Sequence, residues 1–221
     1  MPAILAIETA TSACSVAMRI EGEVVVREKT GSNIHSKVLL QEIDELLAQA
    51  NAKISDLDAI AVGQGPGSFT GLRIGVGVAQ GLAFGIAKPM IGVSSLAALA
   101  KQVRDEGRVL SVLDARMGEV YWQCFEQRDQ ELVALSEAQV SGPESLHSSD
   151  FHHLIGNAWR EYEDQWPVVI CDRLGELELR FPRAAEVLLI SEAEYQAGRT
   201  VEAVKFQPVY VRNKVAKKKG E

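Results

Sequence analysis

Nine of the chain's 18 glycines fall between Gly63 and Gly92, and that crowding restricts the fold more than any other feature. The stretch opens as Gly63-Gln-Gly-Pro-Gly67, where Pro66 fixes its own φ and the neighbouring glycines admit backbone approaches that a side chain forbids. Ser68 then offers a capping hydroxyl, and Phe69 to Ala87 contains no proline, so the pattern predicts a helix there. A glycine inside a helix costs about 0.5–1 kcal/mol relative to alanine, so Gly71, Gly75, Gly77, Gly81 and Gly85 require a reason. Spacing supplies one: Gly77, Gly81 and Gly85 recur every fourth residue, and Gly71 with Gly75 repeats the step, so each set lines a stripe without side chains. Two readings fit, a buried helix crossing a sheet closely and a helix that also meets a partner chain.

The same loop does not complete a nucleotide motif. A Gly-x-Gly-x-x-Gly register from Gly65 meets Thr70 in the last position, one from Gly63 meets Ser68, and no Lys-Ser/Thr pair makes a P-loop. Free amides at the helix start still offer an anion site, to be weighed against a purely structural loop.

A length of 221 residues suits one large domain or two of about 100, and 47% apolar composition is ordinary for a globular chain. The uncharged runs Ala59 to Leu72 and Ile74 to Ala87 are 14 residues each, short of the roughly 20 that span a bilayer, so no membrane role is expected. The start, Met1-Pro-Ala-Ile-Leu-Ala-Ile-Glu8, lacks the basic region of a signal peptide. Cys14, Cys124 and Cys171 lie far apart, which favours a reducing cytoplasm over a disulfide framework or zinc site. The net charge of −7 divides into +4 over residues 212–221 and −11 over the rest. The basic tail reads as a solvated end or as an arm that contacts phosphate.

Along the chain, an apolar run at Ala3 to Ile7, alternation at Cys14, Val16, Met18 and Ile20, and a returning Val24 to Glu28 predict three antiparallel strands. A helix capped by Ser32 follows through Ala50, then a strand at Leu57 to Val62, the glycine helix, a strand at Met90 to Val93, and a helix capped by Ser94 to about Val103. The order β-β-β-α-β-α-β-α is the ribonuclease H-like topology. After Arg104-Asp-Glu-Gly107, strands at Val109 to Leu113, Glu119 to Glu126 and Glu131 to Leu135 begin a second series. A turn at Pro143 and a short strand at Leu154 to Gly156 follow, and Ala184 to Ile190 suits a helix or a strand. The expectation is an α/β chain of two mixed-sheet halves flanking a cleft, residues 1–106 and a smaller, degraded copy at 107–221.

Ile4-Leu-Ala-Ile-Glu-Thr-Ala-Thr11, His35-Ser36, Gly65-Pro-Gly-Ser-Phe-Thr-Gly-Leu-Arg-Ile-Gly75 and Asp114-Ala-Arg-Met-Gly-Glu-Val-Tyr121 together resemble the bacterial TsaB (YeaZ) family. The resemblance is dense in the first half and sparse in the second. It implies the acetate kinase/Hsp70/actin superfamily fold and a role in making N6-threonylcarbamoyladenosine in tRNA. It further implies a non-catalytic subunit that pairs with its catalytic paralogue TsaD and helps recruit the ATPase TsaE, with tRNA met only through the complex. In that reading the chain has no cofactor of its own, and ATP binds at the assembled complex. The first-strand acid of the superfamily is usually aspartate and here is Glu8. Where TsaD carries two metal-binding histidines, this chain has Ser95 and Leu99, and leucine has no donor atom.

Two candidate sites result. Glu8, Thr9, Thr11 and Ser12 sit in the first strand turn, where kinases of the superfamily hold ATP phosphates; the alternative is a turn satisfied by its own hydroxyls, and it contains no lysine or arginine. Phe69, Arg73, Val76 and Gln80 are expected along one helix face beside Gly77 and Gly81, with Ile34, His35, Val38 and Leu39 on the neighbouring helix, as a surface for TsaD or for a homodimer when alone. His35 is open between packing and partner contact. Asp114 and Arg116 read as a local ion pair or as cleft residues. His152 and His153, adjacent in sequence, cannot share an ion from one strand. The competing function is an ATP-dependent phosphotransferase or ATPase using the interdomain cleft, whereas nothing supports a peptidase.

Overall fold

Period-two burial builds the first sheet. In strand β1 (Ile4–Glu8), Leu5 and Ile7 face one core and Ile4 and Ala6 face another, so the strand is buried on both sides and must lie centrally. The computed structural model describes residues 1–146, 150–159, 161–174 and 180–212, and in it β1 pairs antiparallel with β2 (Ala13–Ile20), which pairs antiparallel with the edge strand β3 (Glu23–Thr30). Helix α1 (His35–Gln49) leads to β4 (Ala59–Gly65), parallel to β1; α2 (Phe69–Gly85) leads to β5 (Met90–Ser94), parallel to β4; α3 (Ser95–Ala100) closes the series. The sheet order is β3-β2-β1-β4-β5, as the ribonuclease H-like reading requires.

Two caps act as the sequence predicts: Ser68 Oγ accepts from Gly71 N at 3.3 Å and Ser94 Oγ from Ala97 N at 3.3 Å. Ser32 does not cap α1, because Asn33 turns with φ +55° and the helix begins after Ile34 without a side-chain cap. Helix α3 stops at Ala100, short of Val103.

The second sheet comprises β6 (Gly107–Arg116), β7 (Glu119–Arg128), β8 (Glu131–Ala134), β9 (Gln139–Ser141) and β10 (His153–Gly156). Its order β10-β6-β7-β8, with β10 parallel to β6, repeats that of the first four strands of the first sheet. The counterpart of α1 is reduced to β9, paired with β7, and one tight turn at Pro143–Ser145. Phe151, Trp159, Tyr162 and Trp166, with Ile170 of α4 (Val168–Leu174), fill the volume that longer helices occupy in the first half.

Contacts cross the division expected at residue 106. Helix α5 (Ala184–Gln196) lays Ala184, Val187 and Leu188 on the face of the first sheet formed by Ile4, Ala6, Ala17 and Ile91. Val201 pairs with Met90, Phe206 enters the core beneath α2, and Val209 N donates to Gln64 O at 2.8 Å. Among the described residues no helix is long and apolar enough to cross a membrane. The basic run 213–221 and His147 lie outside the described residues.

The glycines separate into two groups. A Cβ at Gly63 would come 2.1 Å from Glu8 Oε2, at Gly67 2.4 Å from Ala10 O, at Gly71 2.1 Å from Thr9 O and at Gly75 2.1 Å from Thr9 Oγ1. These four seat the β1–β2 turn against α2 and its preceding loop. At Gly77, Gly81 and Gly85 a Cβ would meet nothing within 4 Å among the described residues. The first group serves the fold, and the second gives up helix stability for no internal contact. Urea denaturation distinguishes them: Gly71→Ala is expected to cost about 1–3 kcal/mol through overpacking, and Gly81→Ala to gain about 0.5–1 kcal/mol. Equal losses at both positions would contradict this division.

Candidate functional site

Glu8 ends β1 with its carboxylate turned under the sheet. It is fully buried, its Oε1 accepts from Ala10 N at 2.6 Å, and its Oε2 accepts from Ser95 Oγ at 2.9 Å. Burial pushes its pKa above the ordinary carboxylate value, opposed by the hydrogen bonds from Ala10, Ser95 and Thr9. Thr9 is equally committed: its Oγ1 donates to Gly71 O at 2.9 Å. Thr11 and Ser12 line the cleft, and Thr11 Oγ1 accepts from Ala13 N at 3.3 Å. The four turn residues therefore do not converge; two are locked beneath the turn and two face the space above it. Of the two residues expected at the histidine positions, Ser95 donates to Glu8 and Leu99 is buried in the core beneath the second sheet. Among the described residues no three His, Cys, Asp or Glu side chains come together to hold a metal. His152 accepts from Arg108 N through Nδ1 at 3.0 Å, and His153 Nε2 lies 3.1 Å from Glu106 O.

The cleft has a volume of about 570 Å³ and is walled by the β1–β2 turn, the start of α2, the β6–β7 hairpin and the C-terminal segment. Asp114 lines it and is also ion-paired: Oδ2 lies 3.2 Å from Arg116 Nε, and Oδ1 accepts from Arg116 N and Tyr162 Oη, each at 2.7 Å. Burial, then the bond to Asp114, raises the Tyr162 phenol far above its usual value. The C-terminal segment crosses the mouth. Tyr210 packs against Phe69 with ring centroids 5.7 Å apart and planes tilted by 39°, Arg73 lies 3.7 Å over the Phe69 ring and donates to Tyr210 Oη at 3.3 Å, and Arg212 pairs with Glu119 and donates to Arg116 O at 3.3 Å.

The outward face of α2 differs from the expected one. Val76 is 3% exposed, in the core with Leu5, Ile7 and Ala79, because it shares the sheet-facing side with Leu72 and Ala83. At about 100° per residue the solvent face centres about a third of a turn away, on Arg73, Gly77, Gly81 and Phe84. Gln80 is half-buried and donates to Ala203 O at 2.9 Å and Phe206 O at 3.0 Å, holding the C-terminal segment. On α1, His35 and Leu39 are buried, with His35 Nε2 3.2 Å from Ala13 O, while Ile34 and Val38 are half-buried. Phe84, 70% exposed, and Leu40 are the apolar surface residues that sequence reasoning missed. Phe84 was discoverable as the residue seven beyond Gly77 on the open stripe.

Known proteins bear on this geometry. A family described as TsaD: tRNA N6-adenosine threonylcarbamoyltransferase matches residues 25–160. The chain is 41% identical to the tRNA threonylcarbamoyladenosine biosynthesis protein TsaB of Escherichia coli (strain K12), over 98% of this chain and 97% of that protein. It is 35% identical to the protein of the same name from Haemophilus influenzae, over 98% and 96%. Among solved structures it is similar to YeaZ from Pseudomonas aeruginosa, with a TM-score of 0.86 and 35% identity, covering 95% of this chain and 100% of that one.

A raised carboxyl pKa means that the folded state holds the Glu8 proton more tightly than the unfolded state, so stability falls as pH rises through the folded value. Glu8→Gln removes that penalty while keeping a side chain of the same length. The variant is expected to gain stability relative to wild type as pH rises above the ordinary carboxylate range in parallel urea titrations, and a constant difference would contradict the assignment.

Proposed function

The chain belongs to the TsaB family of tRNA threonylcarbamoyladenosine biosynthesis proteins, and from that premise we propose that it works as a non-catalytic scaffold subunit. It pairs with TsaD, helps recruit the ATPase TsaE, meets tRNA through the assembled complex in the cytoplasm, and pairs with itself when alone. The observation that carries the reading is the open stripe of Gly77, Gly81 and Gly85. Three glycines that weaken a helix and leave open space where a side chain would stand, among the described residues, are accounted for by a second backbone lying against them. Phe84 lies on the same helix as an exposed apolar residue, and the neighbouring helix α1 carries the exposed Leu40 and the half-buried Val38, with Ile34 just before it. Such a patch fits an interface of about 1,200–2,000 Å² in total.

The non-catalytic part rests on the commitment of the acids. Glu8 is buried against Ser95, and Asp114 is tied to Tyr162 and Arg116, so neither is free to hold a metal-bound phosphate. ATP is therefore assigned to the assembled complex rather than to this chain acting as a phosphotransferase.

Gly81→Leu tests the surface without disturbing the core, since a Cβ there meets nothing within 4 Å among the described residues. A folded Gly81→Leu protein is expected to bind TsaD at least about tenfold more weakly in sedimentation velocity, by holding the backbones apart. Wild-type affinity would show that the contact lies elsewhere. Val76→Glu is unsuitable, because it places an unpaired charge in the core.

A further inference from the structure

Strand β3 forms one edge of the first sheet, and among the described residues it pairs only with β2. That pairing runs from Ala13 opposite Thr30 to Ile20 opposite Glu23 with no shift in register. Edges are commonly blunted by a proline, a bulge or a short strand, and β3, with 8 residues, has none of these. Because Ile20 and Glu23 close a two-residue turn, the amides and carbonyls of Glu23, Val25, Arg27 and Lys29 point to β2, and those of Val24, Val26 and Glu28 point away from it. Gly31 continues the inward set, its N donating to Ser12 O at 3.0 Å.

The side chains follow the same alternation. Val25 packs on the core beneath α1, and Arg27 and Lys29 reach Glu42 of that helix. On the other face α5 packs on β1, β2, β4 and β5, and Val24 and Val26 are each left 43% exposed. Open backbone groups beside two exposed valines fit another strand, and the charges specify which one. The segment reads Glu21-Gly-Glu-Val-Val-Val-Arg-Glu-Lys29, with acids before the three valines and, Glu28 excepted, bases after them. Laid antiparallel on itself about Val25, it sets Val24 against Val26 and Glu23 against Arg27, and it brings Glu21 of the turn toward Lys29. Glu28 falls near Gly22, which has no side chain, and interacts with Arg183 of its own chain. This register also places outward-pointing residues opposite outward-pointing ones, as an antiparallel ladder requires. A slip of two residues sets Glu28 or Glu23 against a valine, and a parallel pairing sets Glu23 against Glu23 and Arg27 against Arg27, where like charges destabilise.

We infer that β3 is a docking edge for a second copy of this chain, the two strands joining antiparallel about a twofold axis at Val25 so that two five-stranded sheets become one. The contact is separate from the open face of α2, a helix that packs mainly on β4, so it goes beyond the scaffold reading and does not depend on it. A single strand pair buries less than the roughly 1,200 Å² of a standard interface, so the dimer is weak and depends on concentration.

Sedimentation velocity over a concentration series tests this. The wild-type chain is expected to dimerise reversibly, and Glu23→Lys and Arg27→Glu, which set like charges opposite each other, are each expected to weaken self-association at least about tenfold. An equimolar mixture of the two variants restores opposite charges at both positions and is expected to recover the dimer, a response that a contact through α2 does not give. Val26→Pro removes an outward amide and leaves the β2 ladder intact, so it is expected to lose the dimer and keep the fold. In a Cys171→Ser background, which removes the exposed native thiol, Val25→Cys places two thiols across a pair with Cα atoms about 4.5 Å apart, and mild oxidation is expected to cross-link them. Unfolding midpoints show which variants fold, and should the loss of the Glu42 pairing unfold Arg27→Glu, Val26→Pro and Val25→Cys still decide the matter. A wild-type chain that stays monomeric throughout the series would overturn the inference. So would self-association that persists in folded Glu23→Lys and Val26→Pro but disappears in Gly81→Leu, which assigns the dimer to α2. Unchanged TsaD affinity of Glu23→Lys is expected, because the two surfaces are distinct.

Discussion

The whole structure turns on one contact, the seating of Glu8-Thr9-Ala10 against Gly63, Gly67, Gly71 and Gly75. Gly67 and Gly71 admit the backbone of Ala10 and Thr9, and Gly63 and Gly75 admit the side chains of Glu8 and Thr9, at distances that a Cβ would not allow. Thr9 Oγ1 bonds Gly71 O, and Ala10 O accepts from Ser68 N at 2.7 Å, so the turn's polar groups are answered by the same segment that surrounds it. That contact fixes the floor of the cleft and the start of α2. It also explains why the first-strand acid is unavailable: with no side chain at Gly63, Glu8 has room to turn inward, and Ser95 completes its hydrogen bonding.

From the same helix two surfaces diverge. One side is consumed by the fold, and the other, carrying Gly77, Gly81, Gly85 and Phe84, is left open. The halves of the molecule are joined less by the sequence between them than by its end. Helix α5 covers the back of the first sheet with Glu186 buried between Arg183 and Arg104, and the segment beyond it runs past Gln80 and Gln64 to Arg212, which grips the β6–β7 hairpin. The edge strand β3 is tied down separately, Arg27 and Lys29 meeting Glu42 of α1.

The first half was legible because its signals are local and strong: alternation in β2, Ser68 as a cap, and the glycine spacing. The direction of each side chain was harder. Val76 is seven residues from the exposed Phe69 and was assigned to the same face, but Phe69 stands at the helix end against Tyr210, a neighbour 141 positions away that no local pattern announces. In the second half, Val168-Val-Ile170 is a β-branched run that gives no helical signal yet forms α4, an element the sequence pattern did not place, and the three residues of β9 are too few to show alternation. Val187-Leu-Leu-Ile190 suited either structure, and only packing on the first sheet makes it a helix. The cleft was visible as an architecture, whereas the turning of Glu8 away from it depends on Ser95 and Gly63, contacts that are long-range in sequence.

The central claim is that the open face of α2, not the cleft acids, is where this chain meets TsaD. Hydroxyl-radical footprinting with and without TsaD measures it directly, because Phe84 is a reactive, exposed side chain on that face, Leu40 is one on the neighbouring helix α1, and Leu135, just past β8, is an exposed control. The account predicts that TsaD suppresses oxidation of Phe84 and Leu40 and leaves Leu135 unchanged. Suppression at Leu135 with Phe84 and Leu40 still fully reactive would contradict it.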